Sequence, residues 1–434
     1  MHLELALTLL FLATALVLTV GLGLIFARST TAGIVILTAA YIVSQGIAER
    51  MHLQVTVGGF TIYALDVISA LMLGIGLVRL FGPDVPSGLS RPLFILVALL
   101  GLHLVWGASQ FGLQTAVTSG RDWLNVLAAI VFTATAVPRW DSRSFRPLVL
   151  GALVLCVYAF TFIARYGLHG ANTALVIDGR LSFDSRPVTG TAALLMVQCV
   201  LILATARAFR SSFWLVALVT MCATVAVVQF RTVWLIAAAA LGIAYVQWAR
   251  RAIFTNRHAA LVAASLIALA APVAAYAAAS SASLEYSVQS ATGKDSTLTW
   301  RTESWSALLS EHDSPTDIVL GLPTGTSLAR IIDGQLVDRS PHNIYIDSYL
   351  AFGIAGTLVL VWLGVVLVRR RHTIAAVLDL TPSIVVLLVL AEALFGVTTM
   401  FGPVQGVLTG ILLQAAFATT GAGTAPGPPV QVER

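Results

Sequence analysis

The sequence predicts an all-α fold, a polytopic transmembrane helical bundle of 12–13 spans with a partly helical extracytoplasmic loop. Three observations carry that expectation. Of the 434 residues, 58% are hydrophobic and only 10% are charged, and the mean hydropathy is +0.90. A soluble core of this length has no use for so much apolar surface. Apolar runs of roughly 17–25 residues recur along the whole chain, and each is long enough to cross a bilayer as a helix. The runs are continuous rather than alternating, which excludes a closed barrel. Helices then satisfy the backbone internally.

In chain order the expected spans are 4–26, 31–48, 60–79, 92–111, 122–138, 146–165, 190–208, 212–230, 232–249, 258–279, 343–367, 382–400 and 403–420. The count is thirteen, or twelve if one of the weaker runs, 31–48 or a member of the 212–249 pair, is not a span. The chain divides into an N-terminal bundle (1–279), an outer loop with short helices (280–342), C-terminal membrane helices (343–420) and a Gly/Pro-rich tail (421–434) expected to be disordered. Span 4–26 lacks a basic leader and a small-residue cleavage site, so it reads as a retained helix.

Arginines set the orientation. Lys294 is the only lysine among the 25 basic residues. One set of connections holds Arg28, Arg79, Arg91, Arg139, Arg143, Arg146, Arg207, Arg210, Arg250, Arg251, Arg257 and Arg369 to Arg371. The short connections on the other side hold Arg50, Arg121 and Arg231. The positive-inside rule places the rich set in the cytoplasm, with the N-terminus out and the C-terminus in. The net charge of +5 therefore marks topology and not nucleic-acid binding. Cys156, Cys199 and Cys222 all lie in apolar spans, so neither a disulfide framework nor a metal site is expected.

About sixty structureless residues between packed spans would be unusual, so the 280–342 loop should carry structure of its own. "DSTLTWRTESWSALLSEH" reads as a helix capped by Asp295 or Ser296. Leu298, Arg301, Trp305 and Leu308 share its apolar face, which turns Arg301 toward the bundle. A breaker-rich stretch, "SPTDIVLGLPTGTS", follows. "RSPHNIYIDSYLAFGIAG" then leads from loop into span. A helix starting at Pro341 puts His342, Tyr345, Tyr349, Gly353 and Gly356 on one stripe.

Ionisable groups at membrane depth cost at least ~2.5 kcal/mol on insertion scales and are functional candidates by default. Here they are Asp66, His103, Arg231, His342, Asp347 and Glu392. Asp66 is expected to satisfy a helix break or pair with an arginine. His103 reads as a packing residue bonded across helices, and Glu392 as the partner of a cation or part of a proton path. His342 alone reads equally well as an interfacial belt residue. Its company favours chemistry. Arg231 begins "RTVWL" at the outer end of its span, and Arg301 lies on the buried loop face. Arginines hold a pyrophosphate bidentately. A histidine with a pKa near 6.5 takes a proton from an attacking hydroxyl. With no Asp/Glu cluster of metal-ligand spacing, the arginines would neutralise the charge and no metal is expected.

"RTESWSALL", "VLGLPTGT" and "HNIYIDSYLAFGIAG" together resemble the signature of the O-antigen ligase and polymerase superfamily. "FRTVWLI" is similar to that family's Arg-containing helix start, and "GGFTIYALDVISALML" to its early helix with a lone Asp, here Asp66. "GRLSFDSRPVTGTAALL" is similar to its outer segment, with Arg180 at the usual arginine. It departs from the pattern where Arg186, Pro187 and Val188 replace the usual Pro-Asn. The resemblance implies a glycosyltransferase at the outer face of the cytoplasmic membrane that uses no cofactor. Its donor would be a polyprenyl diphosphate-linked glycan and its acceptor a glycan, lipid or wall polymer. His342 would be the base, Arg231 and Arg301 the diphosphate contacts, and Asn343 would orient the histidine or the sugar. Tyr345, Arg180, Trp305 and Asp66 would support them. Three functions compete: a ligase for a finished glycan, a polymerase of lipid-linked repeat units, and a transporter of a lipid-linked sugar. A transporter should show repeats, broken helices or midplane charges.

Overall fold

The computed structural model describes residues 17–44, 54–57, 60–137, 139–167, 175–177, 180–182, 186–209, 211–228, 230, 232–239, 242, 297–312, 314–332, 334–338 and 340–418. Span 258–279, half of span 232–249, the first part of span 4–26, the caps Asp295 and Ser296, Arg231 and the tail lie outside the described residues.

The helices in chain order are α1 (Val17–Arg28), α2 (Thr30–Ile42), α3 (Ala64–Leu80), α4 (Ser87–Phe111), α5 (Leu113–Ala134), α6 (Arg146–Tyr166), α7 (Gly190–Thr205), α8 (Ser212–Val227), α9 (Thr297–Glu311), α10 (Pro315–Leu320), α11 (Ile344–Arg369), α12 (Arg371–Leu378), α13 (Pro382–Gly396) and α14 (Pro403–Ala416). Among the described residues the protein is mostly helical. Among the described residues three helical segments are long and apolar enough to cross a membrane: Ser87–Phe111, Ser142–Tyr166 and Ile344–Arg369. A fourth crossing arises if α12 and α13, bent by 109°, act as one broken span.

The expected spans differ from these helices where polar pairing or caps intervene. Span 122–138 is the later part of α5, which starts at Leu113 after Gly112 ends α4 at φ +85°. The helix runs through Arg121 because Asp66 meets its charge at 2.9 Å. Span 60–79 begins with a strand, and α3 starts at Ala64, where Asp66 accepts from the Tyr63 amide at 3.0 Å. Span 382–400 is only the 15-residue α13.

The protein is not purely α. Among the described residues three antiparallel strand pairs occur: β1 (Gln54–Val57) with β2 (Phe60–Tyr63), β3 (Leu175–Ile177) with β4 (Arg180–Ser182), and β5 (Ala329–Ile332) with β6 (Gln335–Asp338). In the sequence Gly58-Gly59, Asp178-Gly179 and Asp333-Gly334 separate the paired strands. Such pairs tolerate the positive φ of tight hairpin turns, and Gly334 has φ +74°.

The core centres on α5. Every residue from Asn125 to Ala134 is buried, as expected of a helix enclosed on all sides. Its main neighbours are α14, α3 and α4. The α14 sequence Gly406-Val-Leu-Thr-Gly410 provides the close approach: a Cβ on Gly406 would lie 2.6 Å from the Val126 carbonyl, and one on Gly410 2.7 Å from that of Ile130.

Candidate active site

The loop helix α9 forms as the apolar spacing predicts. Leu308 is fully buried and Ser304 is 1% exposed, while Arg301 and Trp305 are half-buried on the same side. Leu308 joins Leu322 and Leu350 in a small second core, with Ile346 and Tyr349 against it. That cluster fastens α9 to the start of α11. The Trp305 indole N–H donates to the Pro341 carbonyl at 2.8 Å, so the helix carrying Arg301 is bonded to the residue preceding His342.

His342 does not begin the helix. It sits at φ +49°, a left-handed conformation that non-glycine residues seldom adopt, with its side chain exposed. Asn343 is the N-cap: its side-chain oxygen accepts from the Tyr345 amide at 2.9 Å and the Ile346 amide at 3.2 Å. Its carboxamide oxygen is thus committed to the backbone. The Pro341 carbonyl and the Asn343 cap hold the peptide on both sides of His342. The expected stripe from His342 to Gly356 is interrupted as well, because Gly353 leaves helical geometry at φ 61°, ψ −168°.

The surrounding elements converge on this point. The Tyr345 hydroxyl donates to the Ala393 carbonyl at 2.8 Å. A Cβ on Gly396 would lie 2.6 Å from Ile344 Cγ2, so the end of α13 abuts the start of α11. Phe395 and Phe230 both pack around Gly190, and the Arg186 guanidinium stacks 4.2 Å over Phe230. Phe230 immediately precedes Arg231, whose side chain lies outside the described residues. Arg180 lies on β4 opposite Ile177, and its side chain also lies outside them.

Asp66 pairs with Arg121, which donates to the Thr61 carbonyl and stacks 4.4 Å over Tyr63. Two residues along α5, the Trp123 indole donates to Asp347 at 2.7 Å. Asp66 is therefore joined to the start of α11 through α5. Glu392 accepts from Gln198 at 3.1 Å and Thr409 at 3.0 Å, so neutral donors stand where a cation was expected. His103 donates through Nδ1 to the Leu322 carbonyl at 2.9 Å, a bond from helix to loop.

Electrostatics single out Arg301. Burial lowers its pKa, and it makes no hydrogen bond or ion pair among the described residues. A guanidinium stays protonated regardless, which leaves a partly desolvated cation with no anion beside it among the described residues. Arg330 is the contrast. It is 2% exposed, donates to Ser304 Oγ at 2.6 Å and the Leu328 carbonyl at 2.7 Å, and pins β5 to α9. Burial lowers its pKa while Glu311 and Asp338 raise it. Sequence reasoning missed Arg330 and Arg186. The Asp-Gly turn was the available signal for Arg330, since strand alternation then sets it beside Ile332. Among the described residues no group of three His, Cys, Asp or Glu side chains is placed to hold a metal. No protein-family model matches the chain, and no curated protein matches it.

Proposed function

We propose that the chain is a membrane glycosyltransferase of the O-antigen ligase type. It transfers a glycan from a polyprenyl diphosphate to an acceptor hydroxyl at the outer face of the cytoplasmic membrane. The observation that carries the reading is the half-buried Arg301, without a hydrogen-bond or ion-pair partner among the described residues, on the helix whose Trp305 is bonded to the peptide of His342. A diphosphate supplies the missing anion, and the planar guanidinium binds it bidentately. His342 accepts the hydroxyl proton as the oxygen attacks the anomeric carbon and the diphosphate departs with the bonding pair. Positioning and charge stabilisation supply most of such catalysis. Attack opposite the leaving group inverts the anomeric centre. Arg231 adds a second guanidinium, and the mechanism needs no metal. The accompanying topology has 12–13 spans, the N-terminus out, the C-terminus in, and the 280–342 loop outside.

The test is transfer by purified protein in lipid discs, with a polyprenyl diphosphate glycan and a soluble acceptor. Transfer should survive EDTA. Arg301→Lys keeps the charge but loses the fork, so it should lose most transfer while folding normally. Wild-type rates for Arg301→Lys, or activity that only Mg²⁺ restores, would remove the arginine clamp. Product ladders would instead identify a polymerase.

The break in α11 at Gly353 favours a second reading, because transporters place substrates at broken helices. Yet the Leu350 carbonyl beside the break already accepts from the Leu322 amide at 2.6 Å. Movement of intact donor across vesicles without transfer would establish the transporter.

A further inference from the structure

The segment after α9 packs at the same depth against two separate membrane-length helices. On α11 it reaches Gly353, nine residues after Ile344 and about 13 Å along the axis at 1.5 Å per residue. There a Cβ on Gly321 would lie 2.6 Å from the Gly353 amide nitrogen, and the Leu322 amide donates to Leu350. On α4 it reaches His103, eight residues before Phe111 and about 12 Å from that end. There the Thr324 amide and hydroxyl both donate to the His103 carbonyl, at 3.3 and 2.9 Å. A Cβ on Gly107 would overlap the Thr324 carbonyl. The two depths agree although α4 approaches this end and α11 leaves it.

The unbroken 25-residue α4 runs to about 37 Å, against a hydrocarbon core of about 30 Å. Centred in the bilayer, it overhangs by about 4 Å at each end, so the contacts of Thr324 with His103 sit roughly 8 Å inside the hydrocarbon boundary. Irregular backbone is tolerated at that depth only when protein covers it. Leu322 and Pro323 meet that condition, being buried. The α10 helix is graded along its axis. Its start bears Ser314, Thr316 and Asp317, while Ile318 and Val319 are 36% and 50% exposed toward its end.

We infer that residues 315–324 form a re-entrant element of the bilayer, whose Ile318 and Val319 side chains lie against lipid acyl chains. Polar residues enter from the interface and apolar ones follow into the hydrocarbon. The backbone that turns back is covered by α4 and α11. Through Leu308, Leu322 and Leu350 this element also fixes the height of α9. The inference rests on α4 and α11 crossing the bilayer and not on the transferase reading.

Site-directed spin labelling tests it on the full chain in phosphatidylcholine–phosphatidylglycerol vesicles. Single cysteines go at Ile318 and Val319, with Ser310 as the aqueous reference and Val105 of α4, 71% exposed, as the lipid reference. The native cysteines are buried. Labels at Ile318 and Val319 should collide with oxygen far more than with a water-soluble nickel chelate, as at Val105. A nickel-accessible Val319, like Ser310, would make the surface an aqueous cavity wall and overturn the proposal. A label reached by neither reagent would mean a protein-covered site and overturn it too. If Val105 itself failed to report lipid, the membrane reading of α4 would fall first.

Discussion

At the scale of single residues, the proposed transferase mechanism divides between His342 and Arg301 the chemistry that a diphosphate leaving group requires. The left-handed backbone of His342 places its ring outside the helix that Asn343 caps. Strained conformations of this kind persist where neighbouring structure over-determines them, and here the Trp305 bond and the cap do so. A positioned general base contributes roughly 10²–10⁴-fold in rate. His342→Gln should therefore lose nearly all transfer while donor binding, measured in parallel, persists through the arginines. Retention of more than about a tenth of the wild-type rate would remove the histidine from the base role. Arg121 gives a prediction about stability. Its ion pair with Asp66 is only 18% and 12% exposed. Removing one partner of a buried pair costs about 3–5 kcal/mol because the other charge is left uncompensated. Arg121→Met should lower the thermal midpoint strongly in detergent. Asp66→Leu in the same chain should recover part of the loss, with the Tyr63 cap still missing. An additive double variant would mean that the two charges do not interact.

At the scale of elements, the informative helix is α11. Its break lies at Gly353, whose φ 61°, ψ −168° is open to glycine almost alone. The backbone of residues 319–321 sits against it, so a side chain there meets both torsional strain and overlap. Gly353→Ala should destabilise by at least about 1–3 kcal/mol. The control is Gly364→Ala further along α11, where a Cβ meets nothing within 4 Å and the change should be neutral or stabilising. Equal midpoints for the two variants would show that the break is not required. The hairpins teach a different lesson. Gly-Gly and Asp-Gly between short β-prone runs are direct hairpin signals, legible in all three places. The apolar runs on either side dominated the reading and hid them.

At the scale of the whole molecule, the orientation of the loop carries the functional reading, because a diphosphate-linked donor and an outer acceptor must meet on one side. The α4 end and the α11 start share that side, since one loop segment packs at matching depth on both. A cysteine at Ser310 should react with an impermeant thiol reagent in intact cells. Reaction only after the membrane is breached would reverse the orientation of the bundle.

Composition and apolar run length determined by themselves that the chain is helical and apolar enough to cross a membrane, because burying backbone in hydrocarbon leaves few alternatives. Apolar spacing also determined α9 and the inward side of Arg301, since a helical face depends only on local periodicity. The Asp66–Arg121 pair, the neutral partners of Glu392, the bond from Trp305 to Pro341 and the descent of residues 315–324 between α4 and α11 were decided by the tertiary structure alone. Each joins residues distant in sequence or turns on which surfaces close around a backbone carbonyl. No local periodicity encodes that.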